Sequence, residues 1–170
     1  MTSELLDRAL IEEAAKKSGL IWVRAAGAPA ARALWHVWHE GAVCLVGDGP
    51  GEQPLQGLAD GGSAEVTVRS KDKGGRLVTF PATVSELAPG TEEWQAAVAE
   101  LKGKRLNAPD GEEMPARWSR ECRVLRLAPA GPVAPLPSGS LAAAPVATPA
   151  TTRMPVPAGL PRLLAKRRKK

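Results

Sequence analysis

The chain has no tyrosine, one phenylalanine, two histidines and two cysteines in 170 residues. Two cysteines cannot form a disulfide framework, and Cys44 and Cys122 both fall in strand-like runs, so each reads as a buried thiol. No apolar run approaches the length needed to span a membrane. Met1–Gly19 is charged and amphipathic and lacks the apolar centre of a secretory signal. A cytoplasmic protein without a membrane partner is the expectation. Acidic residues are missing from one region altogether. Residues 1–128 carry 16 Lys and Arg against all 18 Asp and Glu, whereas residues 129–170 carry 7 basic residues and no acid. The basic balance therefore belongs to the C-terminal stretch and says nothing about the folded part.

Three segments follow from this shift. Residues 1–128 have the alternation and turn signals of a folded domain. Residues 129–161 are dominated by Ala, Pro, Val, Thr and Ser, cannot bury a core, and are expected to be a disordered linker. Residues 162–170 form a basic tail, with Arg162 and Lys166–Lys170, which suits weak, salt-sensitive contact with nucleic acid.

Within the domain, a helix is expected from about Thr2 to Ser18, with Leu6, Leu10 and Ala14 as its apolar stripe and Gly19 as its stop. Leu20–Ala25 reads as a strand. The run from Ala33 to Pro54 (ALWHVWHEGAVCLVGDGPGEQP) reads as a hairpin turning at Glu40-Gly41 and delivering its second strand into a Gly-rich loop that holds no Lys or Arg. Alternation places Trp35, Val37 and His39 on one face and Leu34, His36 and Trp38 on the other. Trp35 and Trp38 thus cannot line one pocket, and His36 and His39 cannot share a metal ion. Ala64–Lys71 is a further alternating strand. Arg76–Leu87 is one long strand or two short ones, because Pro81 interrupts the donor pattern. Thr91 caps a second helix whose stripe is Trp94, Ala97, Val98 and Leu101. Pro115–Glu121 suits a helical turn, and Cys122–Leu127 a last strand.

Three features are candidates for binding. The loop GDGPGEQP offers the bare backbone of Gly49 and Gly51 as an anion nest, or is simply a connection whose Gly and Pro set its turns. Arg69, Ser70, Lys71 and Lys73 lie at a strand end leading into a turn, where they form a phosphate clamp or a solvated charged turn. Trp38 offers an aromatic platform for a planar ring, and packing in the core is its alternative.

The order of elements resembles the split β-barrel of the pyridoxamine 5'-phosphate oxidase-like and flavin/deazaflavin oxidoreductase superfamily, in particular its small actinobacterial-type members. ALWHVWHEGAVCLVG resembles the family's second and third strands, AEVTVRSKDKGGRLVTFPATVSEL the next pair, and RVLRLAP the closing strand. The helix opened by Thr91 falls where the family places one. The resemblance spans about Leu5–Pro129. It implies a mainly β fold with flanking helices (α+β), a six-stranded split barrel. It also implies FMN or a deazaflavin held in a homodimer, and oxidoreductase chemistry on a substrate the sequence does not name. The site residues it points to are Arg69, Ser70, Lys71, Lys73, Gly49, Gly51 and Trp38. A non-catalytic binding module, with the tail contacting nucleic acid, is the alternative reading.

Overall fold

The computed structural model describes residues 3–72 and 75–135. Lys73, the linker beyond Pro135 and the basic tail lie outside the described residues.

Helix α1 (Ser3–Lys17) leads into β1 (Leu20–Ala25), β2 (Arg32–Trp35), β3 (Val37–His39), β4 (Ala42–Gly47), β5 (Ser63–Arg69) and β6 (Arg76–Glu86). Helix α2 (Glu92–Lys104), a 3-10 turn (Gly111–Glu113), helix α3 (Met114–Glu121) and β7 (Arg123–Pro129) complete the order. All pairings are antiparallel, in the order β2-β1-β5-β6-β7-β4-β3. The fold is thus mainly antiparallel β with three helices, a curled half-barrel of seven strands rather than a closed six-stranded barrel.

The difference arises at His36. The sequence reads as one strand through Ala33–His39, but β2 and β3 sit at opposite ends of the sheet order. Trp35 pairs with Leu20, the first residue of β1, so the first ladder has no further partner to offer. The chain crosses at His36 and pairs anew with β4, Val37 opposite Cys44. The alternation itself holds. Leu34 and Trp38 pack on the inner core, whereas Trp35 and Val37 pack on the outer one.

Two apolar clusters result. The inner one lines the curl with Ile21, Val23, Val43, Leu45, Val66, Phe80 and Leu127, closed at one end by Ile11 and Ala14 of α1. The outer one lies between β4 and the helices, where Trp94, Ala97, Val98 and Leu101 of α2 and Met114 and Trp118 of α3 cover Cys44, Val46 and Val124. The stripe expected on α2 is the one buried, and Thr91 Oγ1 accepts from the Trp94 N–H as its cap.

The stripe expected on α1 is displaced by one position. Ile11, Ala14 and Ala15 are buried, while Leu6 is 53% exposed and Leu10 46%. The buried side carries one long side chain, Ile11, followed by the small Ala14 and Ala15. Nor does Gly19 end the helix in a left-handed turn; its φ is not positive. Instead Ala15 O accepts from the Ser18 N–H at 3.4 Å and from His36 Nε2 at 3.0 Å.

β6 is one continuous strand. Pro81 lies where regular pairing with β7 ends at Ala82–Pro129. Its carbonyl accepts from the Ala130 N–H, so its missing donor faces the same side, where no ladder acceptor is left waiting. Residues 130–135 continue beside β6: Ala134 N–H donates to Thr79 O and Val133 N–H to Asp7 Oδ2 of α1.

Candidate functional site

The Gly-rich loop after β4 folds inward upon its own ionic partners. Glu52 is the centre, its side chain 1% exposed. It accepts from Arg105 Nε at 3.2 Å, from Arg117 Nη2 at 3.0 Å and from the Trp118 indole N–H at 3.1 Å. The same arginines donate to Gly51 O and Pro50 O, each at 3.2 Å. Arg117 is also bridged to Asp110, and that hydrogen bond, reinforced by Glu52, holds its guanidinium firmly protonated. Asp48 takes the Leu55 N–H at 2.7 Å and pairs with Arg123 at 3.2 Å. Gln53 acts as a substitute strand: its amide accepts from Trp35 N–H and donates to Trp35 O, both at 2.9 Å, beside the break between β2 and β3.

This packing decides the fate of the glycines. A Cβ on Gly49 would strike Cys122 Sγ and come within 2.9 Å of Glu121 O. Gly49 is there for close approach of the loop to the α3–β7 junction. Gly51 takes φ +74 with open space around its Cα, so its role is the turn.

The basic clamp is elsewhere. Arg69 pairs with Arg76 at the start of β6, whereas Arg123, beside Asp48, bonds Glu86 at its end. Ten residue steps separate the ends of β6, roughly 33 Å of strand. The expected loop and the expected clamp therefore do not converge in one protomer. Arg69 lies over the Trp22 ring, 4.5 Å from its centroid, an exposed cation–π contact. Ser70 N–H donates to Gly75 O at 2.8 Å, and Lys71 is exposed.

Trp38 stands apart from both. It is half-buried on the inner core and lines a cleft of about 370 Å³ with Arg8, Glu12, Gly41, Arg126 and Pro129. Arg8 and Pro129 also border a second cavity of about 570 Å³ between α1 and residues 129–132. The turn beside the cleft is tight. Glu40 has φ 45 and Gly41 φ 75, the left-handed pair that a two-residue hairpin turn demands. Arg126 Nη2 latches this turn by donating to Glu40 O at 2.9 Å. Arg126 was legible only as an outward-phase charge in CRVLRLAP; its role depends on β7 lying beside β4, which local sequence does not state. The Glu52 network left no local signal at all, since its partners are 53 to 66 residues away.

His36 is 2% exposed, and burial lowers its pKa to about 4, so it is a neutral core residue. Burial raises the Cys44 thiol to about 11, which makes it unreactive as a thiolate. Among the described residues no helix is long and apolar enough to cross a membrane.

A curled antiparallel sheet, plugged by an N-terminal helix and backed by two more, defines the split-barrel class of fold. Two solved structures share it: HutZ, the heme storage protein from Vibrio cholerae, at 17% identity over 72% of this chain and 89% of that one, TM-score 0.54; and a conserved hypothetical protein from Mycobacterium tuberculosis at 13% identity over 84% and 94%, TM-score 0.54. An FAD and heme binding protein from Mycobacterium smegmatis superposes more loosely, at 16% identity over 91% and 94% with a TM-score of 0.47, too loosely to carry an argument. At such identities the likeness establishes the fold alone. No family model matches the sequence, and no curated protein does.

Proposed function

We propose that the protein binds a planar flavin-type cofactor, FMN or a deazaflavin, at the rim of the barrel, and acts as an oxidoreductase in homodimeric form. The observation that carries this reading is the cleft at Trp38: an indole on its wall, two arginines beside it, and a second cavity adjoining it. The sizes are in the range of cofactor pockets. The heme storage protein with the same fold is described as holding a planar ring, which favours a ring site in this class.

The residues fit such a group. Trp38 supplies a flat apolar surface and Arg126 supplies positive charge for an anionic edge, while Arg8 is ion-paired with Glu4. The bound flavin would supply hydride transfer at its ring, and the protein positions it. Trp38 is level with Val84 through Val43 and Leu127, eight residues along β6 from Arg76. That is about 26 Å of strand. Arg69, Ser70 and Lys71 therefore grip the cofactor phosphate from the second protomer of the dimer.

Titration of the full-length protein with FMN and with a deazaflavin, followed by flavin fluorescence, tests this. Saturable quenching is expected, with Trp38→Ala weakening affinity about tenfold. No quenching, or an unchanged Kd in Trp38→Ala, overturns the ring site. An unchanged Kd in the double variant Arg69→Ala, Lys71→Ala overturns the phosphate assignment.

One observation favours a second reading, a non-catalytic binding module. The loop expected to hold phosphate is filled by Glu52 and Asp48 and three arginines of the same chain. A protein that remains colourless and inert toward both flavins would support it.

A further inference from the structure

The outer face of the sheet carries a cavity beside the first turns of α2. Val46, Val124 and Leu87 lie beneath α2. The next cross-strand row, Cys44, Arg126 and Ser85, is in register across β4, β7 and β6. It lies at the edge of α2 and lines, with His39 and Glu93, a cavity of about 280 Å³.

The fold leaves polar atoms unused there. His39 Nε2 is buried, makes no hydrogen bond among the described residues, and lies 3.9 Å from Glu40 Oε2. Among those residues Arg126 makes one hydrogen bond, to Glu40 O, and Ser85 makes none through its hydroxyl. A buried imidazole nitrogen without a hydrogen bond is costly, and a ligand donor within reach removes that cost. The charges around the cavity are mixed. Arg126 is half-buried, and Glu40 and Glu93 are exposed. A simple anion would face both glutamates, and a simple cation would face the arginine. A molecule carrying both charges matches both. Leu87 and Ala97 add an apolar wall.

We propose that this cavity binds a small zwitterion of the α-amino-acid class. The carboxylate bonds Arg126 and the Ser85 hydroxyl. The ammonium group donates to His39 Nε2 and pairs with Glu93 and Glu40. A short apolar side chain lies against Leu87 and Ala97. The buried Cys44 thiol stays neutral and adds no third charge. This cavity and the ring cleft share Arg126 and Glu40, so the zwitterion is titrated without added flavin.

Calorimetric titration of the full-length protein with alanine, valine and leucine tests this, alongside two truncated probes: isovalerate, which lacks the amino group of valine, and isobutylamine, which lacks its carboxylate. At least one amino acid should bind, and each truncated probe should bind about tenfold more weakly than valine or worse. Glu93→Gln should weaken valine about tenfold and leave isovalerate unchanged. Ser85→Ala should weaken both. Arg126→Gln should abolish binding; because Arg126 also latches the hairpin turn, the exposed Glu93 variant carries the test if that protein fails to fold. No saturable heat with any of the three amino acids overturns the proposal. So does isovalerate binding as tightly as valine, or an unaltered valine affinity in Glu93→Gln.

Discussion

The Glu52 loop and the Arg126 groove use the same kind of cation for opposite ends. In the loop, Arg105, Arg117 and Arg123 are taken up by Glu52, Asp110, Asp48 and Glu86 of the same chain. In the groove, among the described residues, Arg126 hydrogen-bonds only the Glu40 carbonyl, and it borders two cavities. An arginine whose donors are satisfied internally is part of the fold. An arginine with donors to spare, facing space, is available to a ligand. Glycine content points to the loop as a binding element, and partner geometry points away from it.

The comparison breaks most visibly at Glu52. Glu52→Ala leaves two arginines and an indole N–H without their buried acceptor, and should cost about 4 kcal/mol in urea unfolding. A loss below about 1 kcal/mol would mean the loop is not locked, and would return it to contention as a binding element.

His36 comes next, because it joins the crossover between β2 and β3 to the end of α1. Its folded pKa, about 4, lies below its ordinary value, chiefly through burial and also through nearby Lys104. The unfolded chain therefore binds the extra proton first as pH falls. The stabilisation is complete above about pH 6.5, is lost progressively between there and about pH 4, and amounts to about 3 kcal/mol. Urea midpoints measured across that window should fall with acidification in the wild type and fall less in His36→Gln. Parallel curves for the two proteins would place the acid sensitivity elsewhere.

Gly49→Ala sharpens the contrast on the loop side. The new methyl must displace Cys122 Sγ and approach Glu121 O, at a cost of about 2 kcal/mol. Cys122→Ala should recover part of that loss in a double-mutant cycle. If Gly49→Ala is neutral, the loop stands off the α3–β7 junction and its backbone is free.

The smallest effect belongs to the exposed clamp. Arg69→Gln removes a cation–π contact with Trp22 and should change stability by about 0.5 kcal/mol. A loss several times larger, read from thermal unfolding, would make Arg69 a structural residue like those of the loop.

Much of the fold was legible residue by residue. Thr91 followed by Glu92 and Glu93, with Trp94, Ala97, Val98 and Leu101 in step, specifies α2 because capping and helical periodicity are local. Glu40-Gly41 specifies its turn for the same reason. The buried stripe of α1 runs through Ile11, Ala14 and Ala15 rather than through Leu6 and Leu10, because apolar residues stand on more than one side of that helix and tertiary packing selects among them. Trp38 was found as a candidate since alternation set its face. Arg126, Ser85 and His39 were not seen as a group, because they lie on three different strands.

By itself, the sequence determined the helices, the strand faces, the hairpin turn and the net positive balance of the region beyond residue 128, since each depends on neighbours a few positions apart. Tertiary structure alone decided that Ala33–His39 divides between the two ends of the sheet, that the Gly-rich loop is locked by its own arginines, and that Arg126 borders open space. Those outcomes depend on which distant donor reaches which acceptor first, and no run of adjacent residues encodes that competition.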